Sequence, residues 1–205
     1  MKLKYPRTYH LPFSCSITND DKVLPSIDIF DEVVITIKMD GENSTMGNEY
    51  IHARSLDSRY HPSRDWCKNF WSSIRHDIPN DIRICGENLY AVHSIEYNNL
   101  DSYFLGFSVW DNDVCLSWSE TELYFELLNI KSVPVIYKGK FDINIVNDII
   151  NEMDFNKNEG FVVRNINSFH YNDFDKNVGK YVRSNHVQSD KHWMFKQMNV
   201  NKIKG

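Results

Sequence analysis

Lys38 ends the apolar, β-branched run Val33-Val34-Ile35-Thr36-Ile37 and is followed at once by Met39-Asp40-Gly41-Glu42-Asn43. A strand that ends on a lysine presents the amine at a fixed point, and the glycine permits a tight turn and close backbone approach. An amine held this way suits nucleophilic attack. Its ordinary pKa near ~10.4 must first be brought down by cations, a metal or burial. Four further motifs follow in order: His52-Ala53-Arg54-Ser55, Gly86-Glu87-Asn88-Leu89-Tyr90, Glu159-Gly160-Phe161-Val162-Val163-Arg164 and Lys180-Tyr181-Val182-Arg183. Arg54 brings a planar fork that suits phosphate. Glu87 brings an acceptor for a hydroxyl. Glu159 brings a hard oxygen of the kind Mg²⁺ prefers. Each has a structural alternative: an ion pair for Arg54 and Glu87, and a turn residue for Asp40, Asn43 and Glu159.

The elements that must position these groups are read from periodicity and turn chemistry. Val33–Ile37 reads as a buried strand, and Thr45–Arg54 as a hairpin around Gly47-Asn48. Ser63 is the expected cap of a helix to about Ile78, with Trp66, Phe70, Ile74 and Ile78 on one face. Ile82–Ile95 and Ser102–Trp110 read as strands. Alternation puts Tyr103, Leu105, Phe107 and Val109 on one face of the second, opposite Phe104, Gly106, Ser108 and Trp110. Ser119 and Glu122 read as a capping box. Val133–Tyr137 reads as a strand, Asp142 as the cap of a further helix, and Gly160–Asn165 and Val178–Ser184 as the last strands. Strands dominate and βαβ alternation is absent, so the fold class is α+β on antiparallel sheets. In a regular strand Lys180 and Arg183 face opposite ways.

The chain has 205 residues, of which 41% are hydrophobic and 25% charged, the composition of one globular domain. We expect a single domain over 1–205, with 1–30 as a peripheral N-terminal segment and 185–205 as a basic C-terminal tail. No run approaches the ~20 apolar residues of a membrane helix, and no secretory signal is evident. Cys15, Cys67, Cys85 and Cys115 form no CxxC pair, so zinc and disulfides are disfavoured. Four buried thiols in a reducing cytoplasm is the expectation. The net charge is −5, but residues 51–76 balance to +3 and residues 175–205 to +5. Two basic zones on an acidic chain suit a localised phosphate-binding surface, or two solvated faces. His61-Pro62-Ser63-Arg64 reads as a basic loop that either grips a polynucleotide or only caps the following helix, and His186–Trp193 as a stretch for triphosphate, for substrate ends or for neither.

The five motifs together resemble the covalent nucleotidyltransferase superfamily of RNA ligases, DNA ligases and capping enzymes, most closely ATP-dependent RNA ligases, from about Thr36 to Arg183. The resemblance implies an antiparallel-sheet nucleotidyltransferase (ATP-grasp-like ligase catalytic) domain with flanking helices. It implies Lys38 as the nucleophile that carries AMP, with Lys180 and Glu159 as its catalytic partners. The implied nucleotide-binding set is Ile37, Lys38, Asn43, Arg54, Glu87 on the ribose, Phe107 stacked on adenine (Trp110 the alternative), Lys180 and Arg183. Glu159, with Asp40 as a second candidate, would hold Mg²⁺ or Mn²⁺. The family's common fifth motif has two lysines separated by one residue, and this chain has Lys-Tyr-Val-Arg, which leaves Arg183 open. Only 25 residues follow Lys180, too few for the OB-fold domain of DNA ligases and capping enzymes. The implied function is joining RNA 5′-phosphate and 3′-hydroxyl ends with ATP, with no membrane partner and a place for an accessory domain or protein. DNA sealing or another acceptor, and a non-catalytic nucleotide- or RNA-binding module, are the alternatives.

Overall fold

The computed structural model describes residues 2–15, 17–57, 59–183 and 198–205. The His186–Trp193 stretch lies outside the described residues. Two sheets pack face to face. The first has the order β1 (Tyr9–His10), β12 (Val178–Val182), β10 (Gly160–Asn165), β2 (Glu32–Lys38), β9 (Val135–Lys140). The second runs β11 (Phe169–His170), β7 (Val114–Cys115), β6 (Phe104–Asp111), β5 (Ile82–Asn88), β3 (Glu42–Gly47), β4 (Tyr50–Ala53), with β8 (Lys131–Ser132) beside β6. Pairings are antiparallel except β1 with β12 and β8 with β6. The α+β class on antiparallel sheets is what the composition of elements led us to expect.

Alternation along β2 assigns its two faces. Val33 and Ile35 join Phe161, Val163 and Tyr181 under α3 (Ile143–Glu152) and the 11–30 segment. The 1–30 segment is thus built into the fold: Leu11 and Leu24 are core residues, and Tyr9–His10 add a strand beside Gly179–Lys180. The other face of β2 turns to the second sheet, where Val34 packs with Leu89, Leu105 and Trp118. The far face of the second sheet, through Met46, Ile84, Phe104 and Val109, packs on α1 (Asp65–Ile74) and on Phe125 of α2 (Trp118–Leu127). The layers are therefore α3, sheet, sheet, α1 with α2.

Several local expectations shift. Ser-x-x-Glu occurs twice in register, and the chain enters α2 at the first: Ser117 Oγ accepts from Glu120 N while Ser117 N donates to Glu120 Oε2. Glu122 instead pairs with Lys138 at 2.6 Å. Ser63 is not the cap of α1. It is buried in a short 3₁₀ turn, Pro62–Arg64, whose cap is His61. The strand from Ile82 ends at Asn88, whose side chain accepts from Tyr90 N. Cys15 is exposed while Cys67, Cys85 and Cys115 are buried.

The alternation drawn for β6 is also corrected. Cys85 pairs with Ser108 and Gly86 with Gly106, so Phe107 is an extra residue, a β-bulge. Beyond it the alternation inverts: Val109 joins the outer core with Phe104, and Trp110 turns inward to Cys85, Phe169 and Phe174. Trp110 is fully buried in that cluster, whereas Phe107 is half-buried.

Candidate active site

Lys38 sits at the last position of β2, paired across β10 with Gly160. Its Nζ donates to Glu159 Oε2 at 2.5 Å. The glutamate side chain is 2% exposed and the lysine 23%, so the amine keeps one open approach. Gly160 makes this junction possible: its φ is +156°, and a Cβ there would lie 1.9 Å from the Tyr181 carbonyl oxygen. Gly41 does the same on the other side. A Cβ would lie 2.5 Å from Asn88 O, and without one the Gly41 amide reaches Glu87 Oε1 at 3.2 Å. Glu87 is the cross-strand partner of Asn43. The Asn43 Oδ1 is buried with no hydrogen-bond partner among the described residues. Lys38, Glu159, Glu87 and Asn43 are thereby brought together.

Electrostatics in this nest differ from the expectation that Lys180 and Arg183 lower the lysine. Burial pushes Lys38 down, but the carboxylates of Glu159, Glu87 and Asp40 outweigh it and hold the ammonium above its ordinary value. Lys180 is the depressed amine: burial, then the charge of Lys38, bring it to about 8. Burial raises Glu87 to about 8, against the pull of Lys38.

Lys180 lies on the cleft side of β12, opposite Val162 of β10 and His10 of β1. Arg183 is not brought to it. The strand ends at Val182, and the Arg183 guanidinium donates to the carbonyl of Phe155, a residue of the core beneath α3. Asp40 is also committed elsewhere. Its Oδ2 accepts from Ser94 N and Oγ, both at 2.7 Å, and from Ile95 N at 2.8 Å. It anchors the 94–97 loop. Arg54 lies past the end of β4, exposed, with its amide on Asn43 O at 3.0 Å, so it stands on the rim beside Asn43. Ile37 is half-buried against the Val34–Leu105 cluster.

Phe107 and Val162, both half-buried, pack against the Cys85–Trp110 cluster between the sheets. The guanidinium of Arg164 donates to the carbonyls of Phe107 and Leu116, which holds the bulge against the first sheet. One contributor was not singled out from the sequence, and another was read only as part of a polar loop. Tyr5 packs edge-on to Phe107 with centroids 5.1 Å apart, and burial holds its phenol above the ordinary value. Arg64 forks onto Glu42, tying the start of α1 to the turn after Lys38. Neither has a local sequence signal, because the partners lie far apart in the chain.

Among the described residues no group of three or more His, Cys, Asp or Glu side chains converges on a metal position. Mg²⁺ needs only one or two carboxylates when waters and phosphate oxygens complete its shell. Glu159, buried beside Lys38, fits that donor chemistry.

No curated protein matches the chain by sequence. Among solved structures, an archaeal ATP-dependent RNA ligase is similar with a TM-score of 0.58 and 18% identity, over 88% of this chain and 48% of the other. A Naegleria gruberi RNA ligase solved with pyrophosphate has a TM-score of 0.54 and 19% identity, over 87% and 57%. The chain thus spans about half the length of these structures, and at this identity they show a common fold. The RNA ligase family model matches residues 31–182, the span from the start of β2 to the end of β12, and the chain belongs to the RNA ligase family.

Proposed function

We propose that the protein is an ATP-dependent RNA ligase that works through a covalent lysyl-AMP. The observation that carries this is the convergence on Lys38: a strand-end amine, partly open to solvent, in contact with buried Glu159 and adjoined by Glu87 and Lys180. Lys38 Nζ attacks the α-phosphorus of ATP. An N–P bond forms, the bond to the bridging oxygen breaks, and pyrophosphate leaves. The lysine must first lose its proton, which the ion pair with Glu159 holds on in the nucleotide-free protein and which leaves to solvent on the amine's open side. Phe107 and Val162 supply an apolar slot for the base, with Glu87 placed for the ribose and Lys180 for the α-phosphate. A divalent cation held by Glu159, waters and phosphate oxygens would offset phosphate charge and draw the glutamate's charge off the amine. The 5′-phosphate of RNA then takes the AMP from Lys38. The 3′-hydroxyl attacks that phosphate, and AMP is released.

The test is incubation with α-labelled ATP and Mg²⁺ or Mn²⁺, followed by denaturing electrophoresis. Wild type should carry acid-labile label and Lys38→Ala none. An unlabelled wild type, or equal label on Lys38→Ala, sinks the covalent mechanism. All-RNA, mixed and all-DNA nicks test the acceptor. Sealing of DNA nicks alone would overturn the RNA assignment.

A further inference from the structure

Residues 198–205 return to the body of the protein beside the lysine turn. Val200 bridges Ala91 and Ile203 bridges Leu100. Asn201, 1% exposed, is the centre of the contact. Its Nδ2 donates to Leu89 O at 2.8 Å and Ala91 O at 3.3 Å, and its Oδ1 accepts from Tyr97 N at 2.8 Å. Its amide donates to Tyr90 O at 3.0 Å, and its carbonyl accepts from Tyr103 Oη at 2.9 Å. All the hydrogen-bonding groups of one buried asparagine are thus spent on the 89–103 segment. That segment has no strand or helix of its own between Asn88 and Phe104.

The same segment holds the turn after Lys38. Tyr97, whose amide is bonded to Asn201, accepts from the Asp40 amide through its hydroxyl at 3.0 Å. Ser94 and Ile95 supply the three donors to Asp40 Oδ2. A loop without regular structure is a soft support for a nucleophile that must be placed within a few tenths of an ångström. Here it is stiffened from behind by Asn201. We propose that Asn201 is a positioning residue for Lys38, acting through Tyr97 and the Asp40 anchor. The 198–205 segment then works as a clasp on the lysine turn. This rests on the assignment of Lys38 as the nucleophile.

The expected result is that Asn201→Ala slows lysyl-AMP formation about tenfold or more while the KM for ATP moves less than about threefold, because Phe107 and Glu87 are untouched. Tyr97→Phe removes only the acceptor of the Asp40 amide and should reproduce the loss with segment 198–205 still docked. Asn201→Ala combined with Tyr97→Phe should be little worse than the more damaging single change, since both act on one link. Hydrogen exchange reads the clasp without activity: amides 40, 94 and 95 should lose protection in Asn201→Ala. Multiplicative losses, or unchanged rates and exchange in both single variants, overturn the proposal. If Asn201→Ala does not fold, Tyr97→Phe with exchange at the Asp40 amide decides it. Failure of the wild type to label would instead strike the assignment of Lys38, with the exchange result still standing for the clasp.

Discussion

Lys38 and Glu159 form an ion pair that holds the amine in its protonated state. Their 2.5 Å contact and the nearby charges of Glu87 and Asp40 raise the lysine above its ordinary value in spite of burial. The pair is half-hidden, with the glutamate enclosed and the lysine open on one side. Removing the glutamate charge removes the largest contribution holding the proton on, so the amine must titrate at lower pH. In the nucleotide-free protein, Glu159→Gln should move the pH profile of Lys38 modification by trinitrobenzenesulfonate to lower pH, read on the Lys38 peptide by mass spectrometry. An unmoved profile would mean that Glu159 does not govern the amine. Lys180, at about 8, is the second amine of the cleft, and peptide-level reading keeps the two apart.

At the scale of elements, the site depends on irregular points in otherwise regular strands. The bulge at Phe107 turns its ring and Trp110 to one side of β6, and Arg164 fixes it from the facing sheet. The start of β10 depends on Gly160. Alanine there would combine a disfavoured φ of +156° with a Cβ 1.9 Å from the Tyr181 carbonyl. We expect Gly160→Ala to cost ~3 kcal/mol or more in a denaturant melt. A change within ~1 kcal/mol would show that the β10–β12 pairing can shift to admit a side chain. The strands themselves were legible: Val33–Ile37 and Gly160–Asn165 have the β-branched density that pleated, buried strands favour. The bulge was not, because a one-residue offset is a property of the pairing between β5 and β6. The cap of α2 was displaced for a similar reason. Both Ser-x-x-Glu frames are locally sound, and burial of Trp118 with its amide on Ile166 O selects the first.

For the whole molecule, exposed arginines stand near the Lys38 turn although the chain carries −5. Arg54 and Arg59 are exposed on the connection between β4 and α1, and the Arg54 amide donates to Asn43 O. Neutralising two or three phosphates would make RNA affinity fall about tenfold between 50 and 200 mM salt. Fluorescence anisotropy with a labelled 5′-phosphorylated RNA measures that slope, and Arg54→Ala should flatten it. A slope indifferent to Arg54→Ala would mean that Arg54 neutralises no RNA phosphate. Among the described residues no helix is long and apolar enough to cross a membrane.

By itself the sequence determined which groups are available, their order along the chain and the strands that carry Lys38, Glu87 and Lys180. Those are local matters of side-chain type and period. Tertiary structure alone decided what each group faces. Asp40 reads as a metal ligand in its motif, yet it turns to the amides of Ser94 and Ile95, fifty-odd residues on. Arg183 reads as a nucleotide cation, yet it turns to Phe155 because β12 has already ended. Lys38 itself reads as an amine awaiting activation. Only the folded chain shows that the carboxylates around it win over burial, since a pKa is set by distances that no linear spacing encodes.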